Sequence, residues 1–433
     1  MPASSPSKDH LPGILRALAE DAGRQNSSLF ADFNALCDCG GRQAGTDSER
    51  RALDYVRGRM SAIGATTEAG PFTFRSEPVT YAGWTKGPCS LTLEDGTPLV
   101  VNPLLGAQST PPEGVLAEVV DLGRGTEDDF NRLADKLPGR VALVRHEYMF
   151  SSQTIHRRRK LGWATERGAA GFLIANPESG AGPVCGSSGR AGGAGIPAAA
   201  TNFESSQRLA NQKVRLILNG TDHESTTEVL VLDLPGRTDK WVVLSAHVDG
   251  HDLAESALDN ATGVAVALAV TRALASHVQD CEHGLRLCIF SAEEWALAGS
   301  KQYLDRMSQA GRDRMQMNIN LDTVAGDGHL TALTSDFPAL DAWVRKVAKQ
   351  NDLELGTYLP TMQSSDHFHF ARHGIPALRL VAGFDRRESS VKHVLTPLDR
   401  RNKARVVQLS RAARVTAILA WNALTLFGEQ LTR

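Results

Sequence analysis

Cysteine, net charge and long apolar runs are all scarce in this chain of 433 residues, and each scarcity excludes a class of protein. The 6 cysteines are too few and too scattered for a disulfide scaffold. A formal net charge of -2 gives no electrostatic basis for binding nucleic acid or an anionic membrane. No run approaches the ~18 apolar residues of a membrane helix, and the N-terminus lacks the pattern of a secretory signal. We therefore expect a cytoplasmic protein with neither nucleic acid nor a membrane as its partner.

Short apolar strands alternate with amphipathic helices from about Trp241 onward. The segments WVVLSAHVD, LRLCIFSAEE, MQMNINLD, HLTALTS and IPALRLVAG predict strands. The segments GVAVALAVTRALASH, GSKQYLDRM and FPALDAWVRKVAKQ predict helices, and a final helix is expected from about Lys403 to Phe427. This alternation indicates an α/β protein, a three-layer doubly wound fold whose mainly parallel sheet carries helices on both faces.

A region of different composition precedes this alternation. It contains GVLAEVVDLG, GRVALVRHEYMF, ERGAAGFLIANP and the glycine-rich GSSGRAGGAGIP, which indicate short strands, one helix and long loops. Ahead of it, TDSERRALDYVRGRMSAIG predicts an amphipathic helix. We therefore predict a main domain formed by residues 1–80 and 223–433, interrupted by an inserted β-rich module of residues 81–222.

Ionisable side chains collect where the predicted strands end. These residues are His247 and Asp249 after the first strand, Glu293 and Glu294 after the second, Asp322 after the third, Asp259 before the next helix and His393 in a later polar loop. Taken singly, each is more often a helix cap or a surface residue. Together they would lie at one edge of a parallel sheet and would repel or desolvate one another unless cations neutralised them. Two zinc ions that share one carboxylate fit this set of ligands.

The ordered segments around these residues resemble the motifs of the co-catalytic di-zinc exopeptidases, a family that includes bacterial aminopeptidases and glutamate carboxypeptidases. The segments are SAHVDGHD, ALDNATGVA, FSAEEWALAGS, NLDTVAG, SSDHFHFARHGIP and KHVLTPLD. The resemblance covers essentially the whole chain, including GGRQAGTDSERRALDYV near its start. The inserted region is similar to a protease-associated domain, through GRVALVRHEYMF, RGAAGFLIAN and GIPAAA.

The resemblance implies a ligand set for each zinc ion. Asp259 would bridge both ions, His247 and Asp322 would complete one site, and Glu294 and His393 would complete the other. The last histidine departs from the family pattern, because two residues separate His393 from the Thr/Pro/Asp cluster that usually follows it closely.

Two further residues receive catalytic roles from the same resemblance. Glu293 would be the general base that deprotonates the bridging water. Asp249 would hold the ring of His247 in its metal-binding tautomer. The peptide bond between Asp259 and Asn260 would be cis, as is usual in the family.

The predicted function is that of a zinc-dependent exopeptidase, an aminopeptidase that hydrolyses short peptides. A carboxypeptidase, a dipeptidase or an amidase acting on a non-peptide amide would use the same chemistry. A non-catalytic binding module, as in the transferrin receptors, is a further alternative. A metallo-β-lactamase-like site in HVDGHD would leave the glutamate pair unexplained.

The inserted module is predicted to cover part of the cleft. Its basic run, residues 157–160, is typical of a solvated helix face, although it could contact a substrate carboxylate.

Overall fold

The fold is taken from a computed structural model that describes residues 10–66, 72–190 and 194–425. The predicted end of the last helix, Phe427, lies outside the described residues. The strands are β1 (Thr73–Leu93), β2 (Pro98–Leu99), β3 (Asn102–Pro103), β4 (Val115–Asp121), β5 (Val141–Arg145), β6 (Gly171–Ala175), β7 (Ala198–Thr201), β8 (Lys213–Leu234), β9 (Trp241–His247), β10 (Gly284–Phe290), β11 (Met315–Leu321), β12 (Leu330–Leu333), β13 (Leu355–Tyr358) and β14 (Ala377–Ala382).

The helices follow the alternation that the sequence predicts, with additional ones near the N-terminus. They are α1 (His10–Gly23), α2 (Ser28–Asp38), α3 (Asp47–Ala65), α4 (Glu127–Arg132), α5 (Arg157–Glu166), α6 (Phe203–Ser206), α7 (Thr262–Leu274), α8 (Ala298–Arg306), α9 (Gln309–Arg312), α10 (Pro338–Gln350), α11 (His367–Arg372) and α12 (Val406–Leu424).

The main domain is built on a mixed sheet with a parallel centre. Its strands lie in the order β13-β12-β14-β11-β9-β10-β8. The central strands β14, β11, β9 and β10 are parallel to their neighbours, whereas β12 and β8 join them antiparallel. Helices α7 and α12 pack on β9, while α8 packs on β8 and α11 on β11 and β14. The predicted α/β fold is therefore confirmed, and the antiparallel pairs lie towards the margins of the sheet.

Helix α7 lies at the centre of the core. Nearly all of its residues are buried, as expected of a helix that is apolar on every side. The segment Ala257–Asp280 that contains it is long and apolar enough to cross a membrane, but 78% of its 18-residue apolar window is buried inside the fold. Its N-terminal end is thereby fixed beside the carboxyl ends of β9 and β11.

A long antiparallel ribbon connects the main domain to the inserted module. Strands β1 and β8 pair from Thr73–Asp233 to Leu93–Val214. At one end β8 pairs with β10 of the main sheet, and at the other it pairs with β4. Strands β4, β5, β6 and β7 then continue as a parallel sheet. The predicted boundaries near residues 80 and 223 fall within this ribbon, so the two domains share it.

Candidate active site

Three buried ligand groups meet at the carboxyl ends of neighbouring strands. His247 ends β9, Asp322 follows β11, and Asp259 precedes α7. His247 Nε2 lies 3.1 Å from Asp259 Oδ1 and 3.7 Å from Asp322 Oδ1. His247 Nε2 and Asp259 Oδ1 are buried without a hydrogen-bond partner. One ligand atom from each of the three residues lies within 4.8 Å of the others, which is the arrangement of a metal site.

Asp249 orients both the histidine and the glutamate pair. His247 Nδ1 lies 3.2 Å from the Asp249 carbonyl oxygen and 3.5 Å from Asp249 Oδ1, so Nε2 is the nitrogen that faces the carboxylates. The Asp249 carboxylate also accepts hydrogen bonds from the backbone N–H groups of Glu293 and Glu294, both at 3.1 Å. A single side chain therefore connects the ends of β9 and β10.

The loop that carries Asp259 is held from two sides. The Asp259–Asn260 peptide bond is cis, as the family resemblance implies. The Asn260 side chain donates to the Leu321 carbonyl at 2.9 Å and accepts from Thr323 N–H at 3.2 Å, which connects the loop to the end of β11. The buried Asp399 carboxylate accepts from Asp259 N–H at 3.3 Å. These bonds fix the Asp259 carboxylate relative to Asp322.

The glutamate pair follows β10 and lies in the same cavity. Glu293 and Glu294 are 9% and 7% exposed. Burial, followed by the charge of Asp259, raises the pKa of Glu294 to about 8, and burial raises the pKa of Glu293 well above its ordinary value. Glu294 Oε1 is buried without a hydrogen-bond partner. Ionisation of this pair within the cavity therefore requires a nearby positive charge.

Arg379 pairs with one of the ligand carboxylates. Its Nη2 lies 3.1 Å from Asp322 Oδ2, and its guanidinium stacks over the ring of Phe150 at 5.5 Å. Burial raises the pKa of Asp322, but Arg379 and His247 outweigh it and hold that pKa below its ordinary value. Because Arg379 occupies Oδ2, the other oxygen of Asp322 faces His247.

The cavity around these groups has a volume of about 840 Å³ and is bounded by both domains. The main domain contributes Asp259, Glu293, Glu294 and Asp322 to its lining. The inserted module contributes residues between 146 and 159 together with Ser187. A cavity of this size with a few converging polar groups is typical of a site for a small ligand.

His393 is the one predicted ligand that neither joins the converging group nor lines the cavity. It ends a 3-10 turn, Ser390–His393, and its charged neighbours are Lys403, Lys392 and Glu178. Leu395 lines the cavity instead and has a φ of 63°. Among the described residues, His247, Asp259 and Asp322 form the only group of three converging ligands. The role of His393 as a ligand therefore stays a prediction, and in this structure the residue lies outside the converging group.

The inserted module brings an arginine of the basic run to the cavity, against the interpretation that the sequence favoured. The basic run was expected to be a solvated helix face, but Arg157 is 7% exposed and lines the cavity, and Lys160 is fully buried. Lys160 pairs with Glu147 at 2.6 Å. Two charged residues in one short helix are thus directed inward, which the local sequence does not reveal.

Comparison with known proteins agrees with this fold. Residues 230–417 match the family model "Peptidase family M28", and residues 99–209 match the PA domain. Aminopeptidase YwaD of Bacillus subtilis is 26% identical over 313 residues, covering 70% of this chain and 66% of that protein. Human carboxypeptidase Q is 25% identical over 248 residues, covering 52% and 51%. The chain thus spans less than two thirds of the length of these relatives.

Solved structures resemble the whole fold. The peptidase M28 precursor from Shewanella amazonensis has a TM-score of 0.77 at 22% identity, covering 98% of this chain and 99% of that one. BSAP, a zinc aminopeptidase from Bacillus subtilis, has a TM-score of 0.69 at 21% identity, covering 98% and 97%. The fold, with its inserted module, is therefore the one seen in these peptidase structures. The family models divide the chain in the same way: residues 230–417 are similar to peptidase family M28, and residues 99–209, within the insertion, are similar to the PA domain.

Proposed function

We propose that this protein is a zinc-dependent exopeptidase that acts as an aminopeptidase on short peptides. The observation that carries the proposal is the convergence of His247, Asp259 and Asp322 at the edge of a cavity that Asp259, Asp322 and Glu293 line. Relatives named as aminopeptidases, including YwaD, support the choice of reaction. The volume of the cavity suits a short peptide rather than a folded protein.

The three ligands fit a zinc ion. They offer one imidazole nitrogen and two carboxylate groups, and three protein ligands are the usual number at a catalytic zinc site. The buried His247 Nε2 and Asp259 Oδ1 lack hydrogen-bond partners, as expected of atoms that would face a cation. Zinc bound there would polarise a carbonyl group and acidify a water molecule.

Glu293 would be the general base of the reaction. Its backbone is fixed by Asp249, and its side chain lines the cavity with Asp259 and Asp322. Glu293 would take a proton from water as the water oxygen bonds to the scissile carbonyl carbon. As the carbon–nitrogen bond breaks, Glu293 would return that proton to the leaving amine.

The sequence also predicts a second zinc ion, held by Asp259, Glu294 and His393. Of these residues, Asp259 and Glu294 line the cavity and His393 does not. The proposed reaction therefore depends on the first ligand set.

Hydrolysis of a small panel of substrates tests the proposal. The panel contains aminoacyl anilides, the same anilides with blocked N-termini, and blocked dipeptides with free C-termini. Cleavage of only the free-amine anilides, abolished by a chelator and restored by zinc, is the expected result. Cleavage of the blocked dipeptides would favour the carboxypeptidase alternative, which human carboxypeptidase Q also represents among the relatives. No cleavage by the zinc-loaded protein would contradict the proposed peptidase activity.

A further inference from the structure

Arg157 brings a buried positive charge into the cavity from the inserted PA domain. It is the first residue of α5, and its Nε donates to the Ser187 carbonyl at 3.0 Å. Its Nη1 has only the Met149 sulfur at 3.9 Å. Among the described residues, no carboxylate forms an ion pair with it within 4.0 Å. A buried guanidinium without a close partner is costly, so this charge requires an explanation.

The surroundings of Arg157 are shaped to hold it. A Cβ atom at Gly186 would lie 2.2 Å from Arg157 Nη2, and Gly186 has a φ of +120°. Glycine is therefore needed at this position both for its backbone conformation and for the space beside the guanidinium. The absence of a side chain at Gly186 thus leaves the space that the Arg157 guanidinium occupies at the wall of the cavity.

The charges that could compensate Arg157 lie in the same cavity. Asp259, Glu293 and Glu294 line it together with Arg157. Burial lowers the pKa of Arg157, and the negative charge of Glu294 is the largest influence that opposes this shift. Glu294 Oε1 has no hydrogen-bond partner of its own. Arginine remains charged in such surroundings, so it is a permanent counter-charge for these carboxylates.

The set of ligands for a second zinc ion is incomplete around Asp259 and Glu294. Asp259 and Glu294 supply two carboxylates, whereas zinc sites in proteins have three or four protein ligands. The loop that was expected to bring His393 presents the aliphatic side chain of Leu395 to the cavity. A second dication would also share the cavity with the buried guanidinium, and like charges repel strongly where water is excluded.

We propose that the cavity holds one zinc ion, at His247, Asp259 and Asp322, and that the guanidinium of Arg157 takes the place of a second cation on the Glu294 side. Because Nε is engaged by Ser187, the Nη groups remain to offset the charge of Glu294 within the cavity and to donate to a substrate oxygen that gains negative charge. The PA domain then supplies part of the active site. The role of Arg157 in hydrolysis rests on the proposed function, whereas the zinc count does not.

Zinc content of the full-length protein tests the count without any substrate. After equilibrium dialysis against zinc, elemental analysis is expected to give one bound zinc per chain. Two per chain would overturn the proposal. His393→Ala is expected to leave the content unchanged, and a loss of zinc in this variant would restore His393 as a ligand and overturn the proposal.

Substitution at Leu395 tests whether this residue occupies the position from which a second zinc ion would need a histidine ligand. Leu395→His places an imidazole in the lining, and histidine tolerates the positive φ of this residue better than most side chains. This variant is expected to bind a second zinc. Leu395→Met, a control of similar volume, is expected to bind one zinc ion per chain. A Leu395→His protein that also remained at one would contradict the assignment of this position.

Two substitutions test Arg157 itself. Arg157→Ala is expected to lower kcat about 100-fold, with a smaller effect on KM and with one zinc retained, since one donor to a developing oxyanion is worth about this much. Arg157→Lys keeps the charge and is expected to recover part of kcat. An unchanged kcat would contradict the proposed role. A rise in KM confined to substrates with a free C-terminal carboxylate would instead make Arg157 a substrate ligand.

The two tests separate this inference from the proposed function. One zinc per chain without peptide hydrolysis would refute the exopeptidase but leave the count standing. Peptide hydrolysis by a protein with two zinc ions per chain would support the exopeptidase and refute the count of one zinc ion. If Arg157→Ala lowers the thermal unfolding midpoint strongly, Arg157→Lys and the Leu395 variants still decide the outcome.

Discussion

Glu293 is the side chain on which the proposed chemistry depends most. Glu293→Gln keeps its size but removes the basic carboxylate, so we expect kcat to fall about 100- to 10,000-fold. Zinc content should be unchanged, because Glu293 is not one of the three converging ligands. Steady-state kinetics and elemental analysis measure both quantities. Glu354→Gln, at an exposed glutamate paired with Arg411, is the matched control and should behave as the unmodified protein. A Glu293→Gln protein with full activity would rule out this base.

His247 is expected to be essential for binding zinc. His247→Ala removes the only nitrogen ligand of the cluster and leaves two buried carboxylates facing each other. We predict that the variant loses its bound zinc and, with it, peptide hydrolysis. His329→Ala, at a half-exposed histidine, is the control. Retention of zinc by the His247 variant would show that the metal binds elsewhere.

The sequence predicts which residues meet at the site better than it predicts what each loop presents. His247, Asp259 and Asp322 converge because strand ends meet at one edge of a parallel sheet, which periodicity alone makes visible. His393 lies outside this group, and its position depends on a 3-10 turn and on the positive φ of Leu395. Its unusual spacing before the Thr/Pro/Asp cluster was the only local signal of this difference.

At the scale of elements, Arg42 connects the N-terminal motif to the loops of the active site. It is fully buried and donates to the carbonyls of Val248 at 2.8 Å and Ser256 at 2.7 Å, as well as to other carbonyls. These carbonyls lie between His247 and Asp249 and shortly before Asp259. Arg42 therefore holds two catalytic loops together although it lies outside the cavity lining.

Arg42→Met is expected to destabilise the protein. It leaves several buried carbonyl groups without donors, so the free energy of unfolding should fall by about 3–5 kcal/mol. Denaturant titration with an optical signal measures this loss. Arg50→Met, which removes only an exposed pair with Asp47, should change the free energy of unfolding by at most about 0.5 kcal/mol. Equal stability of the two variants would contradict this role for Arg42.

Helices and strands with a clear periodicity of apolar residues were predictable from the sequence, whereas the long ribbon of β1 and β8 was not. Helix α3, which its amphipathic period predicts, begins after Thr46, whose side chain accepts from Glu49 N–H. The strands β9, β10 and β11 were expected from their apolar runs. Strands β1 and β8 are only partly buried, and β1 contains prolines. Their stability comes from pairing with a strand far away in the sequence, which local patterns cannot show.

For the whole molecule, the position of the PA domain predicts a preference for short substrates. Met149, Phe150 and Arg157 from this domain line the same cavity as the glutamate pair. A tripeptide and a ten-residue peptide with the same first three residues provide a matched comparison. We expect kcat/KM to be about tenfold lower for the longer peptide, a difference of about 1.4 kcal/mol in transition-state binding. Equal values would mean that the PA domain does not restrict access.

The measurement that tests the central claim most directly is an anomalous difference map at the zinc absorption edge, from crystals of the full chain grown with zinc. The prediction is a single peak bonded to His247 Nε2, Asp259 and Asp322 at about 2.0–2.2 Å. The absence of a peak between these three residues would contradict the metal site and the reaction proposed for it.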